Sequence, residues 1–501
     1  MASRVLLLLA AFYVRRLLIQ YIGNEANGIE ALFGSIIGLL SVAELGVGSA
    51  IIFSMYKPIV DDDKKSVAAL YCLYRRLYRI IGAVIFIAGQ GLMPLLPVLI
   101  SDYEALDINV FVTFTLTLIS VTISYLYSAK TSLIEAYKDG YINTAIVTAS
   151  RLLRYLMQIA AILIWKSFSA YIVCQIIETM IIWIVTEHIV RKLHPDIIAM
   201  NEKLDKEATA EVTKNVKAMF MHKIGAILVG AVDSIIISAF IGVTILGKYT
   251  NYTAICGAMT GILALLFTPL TAVVGHLCAS GKSEEIKGYF AHFYSVNYII
   301  GLIFFLGYYA VADNTVELLF GSGLVLPVAI PFVITLNSFI GYMRYSPLLF
   351  RDASGTFYYD RWKPLAEGLA NLMLSLLFVK TFPAGYEVVG VIVATIVTNL
   401  LICDIVEPHI IFKYVFKESE KSFCIRNYIN IGVFITCMAI MSLLRVDCSS
   451  SMAGIMVNGS ISIGISLAAL LIISIADREF RNECCTMLNL TMKWLANVTS
   501  R

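Results

Sequence analysis

Fourteen runs of mostly apolar residues, each long enough to cross a bilayer as a helix, divide this 501-residue chain. They lie at 4–22, 29–53, 77–99, 109–129, 142–165, 169–190, 218–241, 251–277, 291–312, 324–346, 363–380, 387–414, 427–444 and 454–476. A spanning helix needs about 20 such residues. In hydrocarbon every backbone N–H and C=O must be paired within the protein, so only helices and closed barrels can span. These runs lack the apolar–polar alternation of barrel strands. The expected fold is therefore an all-α polytopic membrane protein with about 14 transmembrane helices. Composition agrees: 59% of residues are hydrophobic and 15% charged, with a mean hydropathy of +0.81. Soluble domains carry about 25% charge, so a soluble enzyme of this length is excluded. A net charge of +3 offers no footing for a nucleic-acid partner.

The first run carries Arg4, Arg15 and Arg16. Two arginines inside its apolar stretch, with no small-residue cleavage site following, argue against a signal peptide and for a first span.

Lysine and arginine set the orientation. Of the 38, 29 lie in the loops after even-numbered spans or in the C-terminal tail, and four lie in odd-numbered loops. Both termini are expected to be cytoplasmic, which requires an even number of spans. Of the ten cysteines only Cys448 then faces outward, which disfavours an external intrachain disulfide. No cysteine or histidine spacing matches a metal site. Cys484 and Cys485, after the last span, read either as an acylation site or as ordinary thiols near a helix end.

A displacement of 219 residues aligns two stretches without a gap. Tyr-Ile-Gly-x4-Gly at 21–28 matches Phe-Ile-Gly-x4-Gly at 240–247, and Ile80-Ile-Gly-x3-Phe86 matches Ile299-Ile-Gly-x3-Phe305. Six spans separate the copies, so both have the same orientation in the membrane. Transporters built from parallel repeats show this arrangement. The expected organisation is two pseudo-symmetric six-helix lobes, 1–190 and 218–414, around a central cleft. A polar cytoplasmic linker, 191–217, joins them, two further transmembrane helices occupy 415–476, and 477–501 forms a cytoplasmic tail.

Three stretches carry a family resemblance. The first is Tyr21-Ile-Gly-Asn-Glu-x-x-Gly28, running into Leu40-Ser-Val-Ala-Glu44-Leu-Gly46-Val-Gly48. The second is Met55-Tyr-Lys-Pro58, followed by Asp61-Asp-Asp63 and Tyr74-Arg-Arg-Leu-Tyr78. The third combines Tyr345-Ser-Pro347, Phe350-Arg-Asp352, Gly355-Thr-Phe357 and Trp362-Lys-Pro364-Leu-Ala-Glu367, and runs on through Asn371 to Glu407-Pro408. Together they resemble the polysaccharide-biosynthesis flippases, which export O-antigen and capsule repeat units. That family shares a superfamily with multidrug and toxin extruders and lipid II flippases. The resemblance covers residues from about 10 to 420. It implies transfer of an undecaprenyl-pyrophosphate-linked oligosaccharide from the cytoplasmic to the outer leaflet of a bacterial inner membrane by alternating access, with polymerase or glycosyltransferase partners. Members of the family usually carry residues before the first span that this sequence lacks, so a truncated or mis-assigned start is the expectation.

No nucleophile elbow, zinc-binding His-Glu motif or phosphate-binding loop occurs, so binding and conformational change are expected rather than bond cleavage. Charged groups inside spans are expensive unless they face water or a partner. Arg15 and Arg16 lie in span 1, and Arg151 and Arg154 share one face of span 5. Guanidinium forks match phosphate oxygens two at a time. These four arginines are the candidate substrate site; the alternative is snorkelling to headgroups. Glu44, Glu178, Asp233 and Asp404 are the candidate coupling and gating groups; the alternative is structural helix–helix pairing. Displaced by 219, Asp233 falls beside Arg15, which suggests a pair that closes one side of the cleft. No cofactor is implied, and the driving force is H+, Na+ or the membrane potential. Pro269 is expected to bend span 8. The run Tyr74–Arg79 reads as an anchor at anionic headgroups, with a substrate gate as the alternative. The runner-up function is a cation-coupled multidrug extruder; the intramembrane arginines argue against it.

Overall fold

The computed structural model describes residues 2–44, 47–204, 230–267, 270–279, 283–477 and 480–482. The readings of Gly46, Pro269, Cys484 and Cys485, and most of the proposed linker and tail, lie outside these residues. The chain is helical along almost all of its described length, with no strand among the described residues.

The helices follow the apolar runs. They are α1 (Ala2–Tyr21), α2 (Asn24–Leu40), α3 (Val47–Val60), α4 (Lys64–Leu92), α5 (Val110–Ala136), α6 (Gly140–Trp165), α7 (Phe168–Leu193) and the short α8 (Pro195–Ala199). After them come α9 (Gly230–Phe240), α10 (Val243–Phe267), α11 (Leu270–Ala279), α12 (Ser283–Phe320), α13 (Ala329–Met343) and α14 (Tyr345–Ala353). The last are α15 (Lys363–Thr381), α16 (Glu387–Thr398), α17 (Asp404–Ile411), α18 (Lys421–Leu444) and α19 (Ser451–Ala476). Within the described residues each run falls on one helix or on a consecutive pair, which agrees with about 14 spans. Among the described residues, eight helical stretches are long and apolar enough to cross a membrane by themselves. Large apolar side chains stand exposed on their outer faces, among them Ile87, Leu156, Leu471 and Ile475. Such a surface is stable against lipid tails and not against water. The protein is a multi-pass membrane protein.

The two aligned stretches fold alike. α1 and α9 end at Tyr21 and Phe240; Gly23 and Gly242 then adopt φ of +124° and +121°, and α2 and α10 begin at the next residue. Gly23 N donates to Leu18 O and Gly242 N to Ile237 O, again 219 apart. Backbone of such positive φ favours glycine, which has no Cβ to clash. The second match is also structural. Gly82 of α4 lies close against Tyr125 of α5, and Gly301 of α12 lies close against Tyr342 of α13.

The chain packs as two compact units: Met1–Thr250 with Pro364–Val379, and Asn251–Lys363 with Lys380–Arg501. In the first, Tyr71, Tyr74 and Tyr78 of α4 pack with Ile51, Met55 and Tyr125. In the second, Phe290, Phe350, Phe412 and Phe416 form an aromatic cluster. There α19 lies along α12, fixed at its N-terminal end by Ser451 Oγ donating to Glu317 (3.0 Å).

A candidate charged site in each unit

In the first unit, helical periodicity builds a polar stripe on each of two packed helices. Arg151, Arg154 and Gln158 recur at i, i+3 and i+7 on α6, and Tyr171, Gln175 and Glu178 at i, i+4 and i+7 on α7. The stripes meet at Glu178, whose side chain is 5% exposed. Arg154 Nη1 lies 2.9 Å from its Oε2, and Arg151 Nε 3.4 Å from its Oε1. A buried carboxylate is tolerable only when so paired. The structure therefore joins two predicted substrate arginines to a predicted coupling residue. The Arg154 guanidinium also lies over the Tyr155 ring, 5.0 Å from its centroid. Its Nε is buried without a hydrogen-bond partner among the described residues.

Glu30 of α2 is a member that sequence reasoning missed. It accepts from Tyr171 Oη (3.2 Å) and Gln175 Nε2 (3.1 Å), so α7 carries both carboxylate anchors. Glu30 stands at the margin of an apolar run, where one acid is unremarked. The stripe on α7 is the signal that would have pointed to it. Arg15 of α1 is half-buried and donates to the Thr250 carbonyl (3.1 Å), while Arg16 beside it is exposed. Asp233 is half-buried on α9. Arg15, Arg151, Arg154, Glu30 and Glu178 sum to one positive charge, and Arg16 adds a second.

Glu44 occupies a different place. Span 2 tightens into a 3-10 turn at Ser41–Glu44 between α2 and α3. Tyr78 Oη of α4 and Tyr125 Oη of α5 donate to its two oxygens at 2.7 and 2.9 Å. The carboxylate thus bridges three segments at a break in a spanning helix.

The second unit holds a charged centre around α17, between two π-helical turns, Asn399–Cys403 and Phe412–Phe416. Glu407 is fully buried. Arg344 grips it with Nη2 (2.7 Å) and Nε (3.2 Å), and Lys363 Nζ donates to the same Oε1. Arg344 Nη1 also donates to Asn399 (2.6 Å). Asp404, one turn before Glu407, accepts from Asn427 (3.3 Å), which in turn accepts from Tyr294 Oη (2.8 Å). Pro408 has no N–H for the Asp404 carbonyl, so that oxygen is left to Cys424 Sγ (3.8 Å). Arg344, Lys363 and Glu407 were not among the predicted site residues. Arg344 and Lys363 sit at span ends, where cations are ordinary, although Glu407 lies well inside an apolar run.

No protein-family model matches the chain, and neither does any curated protein. Among solved structures it is similar to a multidrug resistance MATE family transporter of the MOP superfamily in the inward-facing conformation. The TM-score is 0.60 at 13% identity, over 86% of this chain and 98% of that one. It is also similar to the lipid II flippase MurJ in an inward closed conformation. There the TM-score is 0.62 at 12% identity, over 94% of this chain and 99% of that one. At such identities it is the fold that is shared: the chain is folded as the MATE transporter and the MurJ flippase are.

Proposed function

We propose that the chain is a flippase. It carries an undecaprenyl-pyrophosphate-linked oligosaccharide from the cytoplasmic to the outer leaflet by alternating access, for cell-surface polysaccharide synthesis. The observation that carries this reading is the surplus of guanidinium charge in the first unit. Arg151 and Arg154 share Glu178, and a buried Arg154 Nε still has a proton to donate. A phosphate oxygen is the acceptor such a donor fits. The sugar-pyrophosphate cannot cross hydrocarbon unaided, whereas its polyprenyl tail never needs to leave it. Arg15 and Arg16 complete the substrate site, and Glu178 keeps the α6 arginines paired while the site is empty. Glu44, Asp233 and Asp404 serve coupling and gating, driven by H+, Na+ or the membrane potential. Both termini lie in the cytoplasm of a bacterial inner-membrane protein, and polymerase or glycosyltransferase partners act beside it.

The similarity to a flippase of a lipid-linked substrate supports this reading, and the similarity to a multidrug transporter supports a cation-coupled extruder as the second. Deletion followed by assay of lipid-linked intermediates separates them. Accumulation on the cytoplasmic leaflet supports the flippase. Normal distribution with drug sensitivity supports the extruder.

A further inference from the structure

A second basic centre lies in the first unit, on α4, α5 and α7 and apart from the Glu178 cluster. It surrounds a cavity of about 650 Å³. Four cations line it: Arg75, Arg79, Lys130 and Arg191. The one carboxylate among the described lining residues, Glu187, is already shared, with Lys130 Nζ at 2.6 Å and Arg191 Nε at 2.7 Å. Among the described residues neither Arg75 nor Arg79 has a carboxylate partner. Arg75 leans over the Tyr71 ring, 5.6 Å from its centroid, and Arg79 is exposed. The described lining residues carry a surplus of three positive charges.

The rim says what kind of anion fits. Trp183 and Ile184 of α7 line the same cavity, and Ile184 is 66% exposed on an apolar spanning helix. A water-borne anion has no use for an apolar rim, whereas the acyl chains of a lipid would lie against it. Basic pockets between transmembrane helices are suited to anionic headgroups, and indole rings settle at headgroup level. We infer that this cavity binds the phosphate of an anionic phospholipid headgroup, with Arg75 and Arg79 as its ligands and Trp183 against the upper acyl chain. The Lys130–Glu187 pair joins α5 to α7 beside it, and Arg191, one turn after Glu187 on α7, is an exposed cation of the lining. The site is separate from the proposed glycan site, so loss of one leaves the other to be measured.

Trp183 provides the probe. The full chain and a Trp183→Phe control are reconstituted in phosphatidylcholine vesicles containing increasing fractions of phosphatidylglycerol with brominated acyl chains. The difference in fluorescence between the two proteins reports quenching at Trp183. Half-quenching is expected at a far lower fraction of brominated phosphatidylglycerol than of brominated phosphatidylcholine. The double variant R75Q/R79Q should raise that fraction about thirtyfold, from about fivefold for each basic residue beside the surface. The control K57Q/K65Q, which removes the same charge outside the cavity, should shift it far less. Equal quenching by the two lipids overturns the inference, as does an equal shift in the control. Displacement of the lipid by inorganic phosphate, at ionic strength matched with chloride, would identify a soluble anion as the occupant and overturn the lipid assignment.

Discussion

Gly28 and Gly247 mark a reciprocal crossing of α2 and α10. A Cβ on Gly28 would overlap the Val243 carbonyl, and a Cβ on Gly247 would overlap the Asn24 carbonyl. Asn24 and Val243 are themselves 219 positions apart, so each copy of the repeat offers the other the same backbone surface. Asn24 Nδ2 donates to Thr244 O (2.6 Å) and Asn27 Nδ2 to Gly247 O (2.8 Å) across this contact.

Alanine at Gly28 or Gly247 therefore meets backbone that cannot rotate away. Overpacking in a tight interior costs about 1–3 kcal/mol, and a collision with a carbonyl belongs at the upper end. Thermal unfolding in detergent should show a marked loss for either variant. Gly38→Ala, where an added Cβ meets nothing within 4 Å, should be neutral or slightly stabilising. Equal loss at all three positions would refute the crossing.

Glu178 is the partner of two arginines, so its replacement by Gln leaves both without their countercharge. Breaking a buried pair from one side costs about 3–5 kcal/mol. Arg154→Gln strands the carboxylate in the same way, with Arg151 remaining as a longer contact. The double variant R154Q/E178Q should recover much of that stability, giving a strong coupling in a double-mutant cycle. Glycan export should stay lost in the double variant and in R151A/R154A with normal membrane expression. Export restored along with stability would reduce the cluster to a structural role.

The proposed closure of Arg15 on Asp233 is tested by exchanging the charges. Arg15→Asp and Asp233→Arg should each impair export, and the double exchange should restore part of it. A double variant no better than either single one sinks the pairing.

Glu44 receives two phenolic hydrogen bonds at the break between α2 and α3. Hydrogen bonds to charged groups are worth about 1.5–3 kcal/mol each. Tyr78→Phe and Tyr125→Phe should each lower thermal stability by an amount in that range. Glu44→Gln keeps an acceptor for one hydroxyl and should fold while losing transport. A transporting Glu44→Gln variant would remove this residue from the coupling proposal.

Glu407 is the countercharge that Arg344 and Lys363 share, so Glu407→Ala should be more damaging than Lys363→Ala. The Lys363 variant still leaves the two-pronged grip of Arg344 on the carboxylate. A loss of about 3–5 kcal/mol is expected for Glu407→Ala, read as loss of monodisperse protein after detergent extraction.

The sequence by itself determined the class of the protein, its spans and its repeat. Those follow from near-local rules: the length of apolar runs against bilayer thickness, and glycines at matched positions where the backbone turns left-handed. It also marked the i, i+3 pair Arg151 and Arg154. Only the tertiary structure decided who pairs with whom. Glu178 was legible as a buried acid, but not that it stands between both arginines of α6. Glu30, Arg344 and Lys363 were passed over because a single charge near a span end is ordinary, and Glu407, well inside an apolar run, was passed over although its place there was a signal. Their significance arises when helices distant in sequence bring them together where water no longer screens them. Periodicity reports which face of a helix is polar; packing alone reports what that face meets.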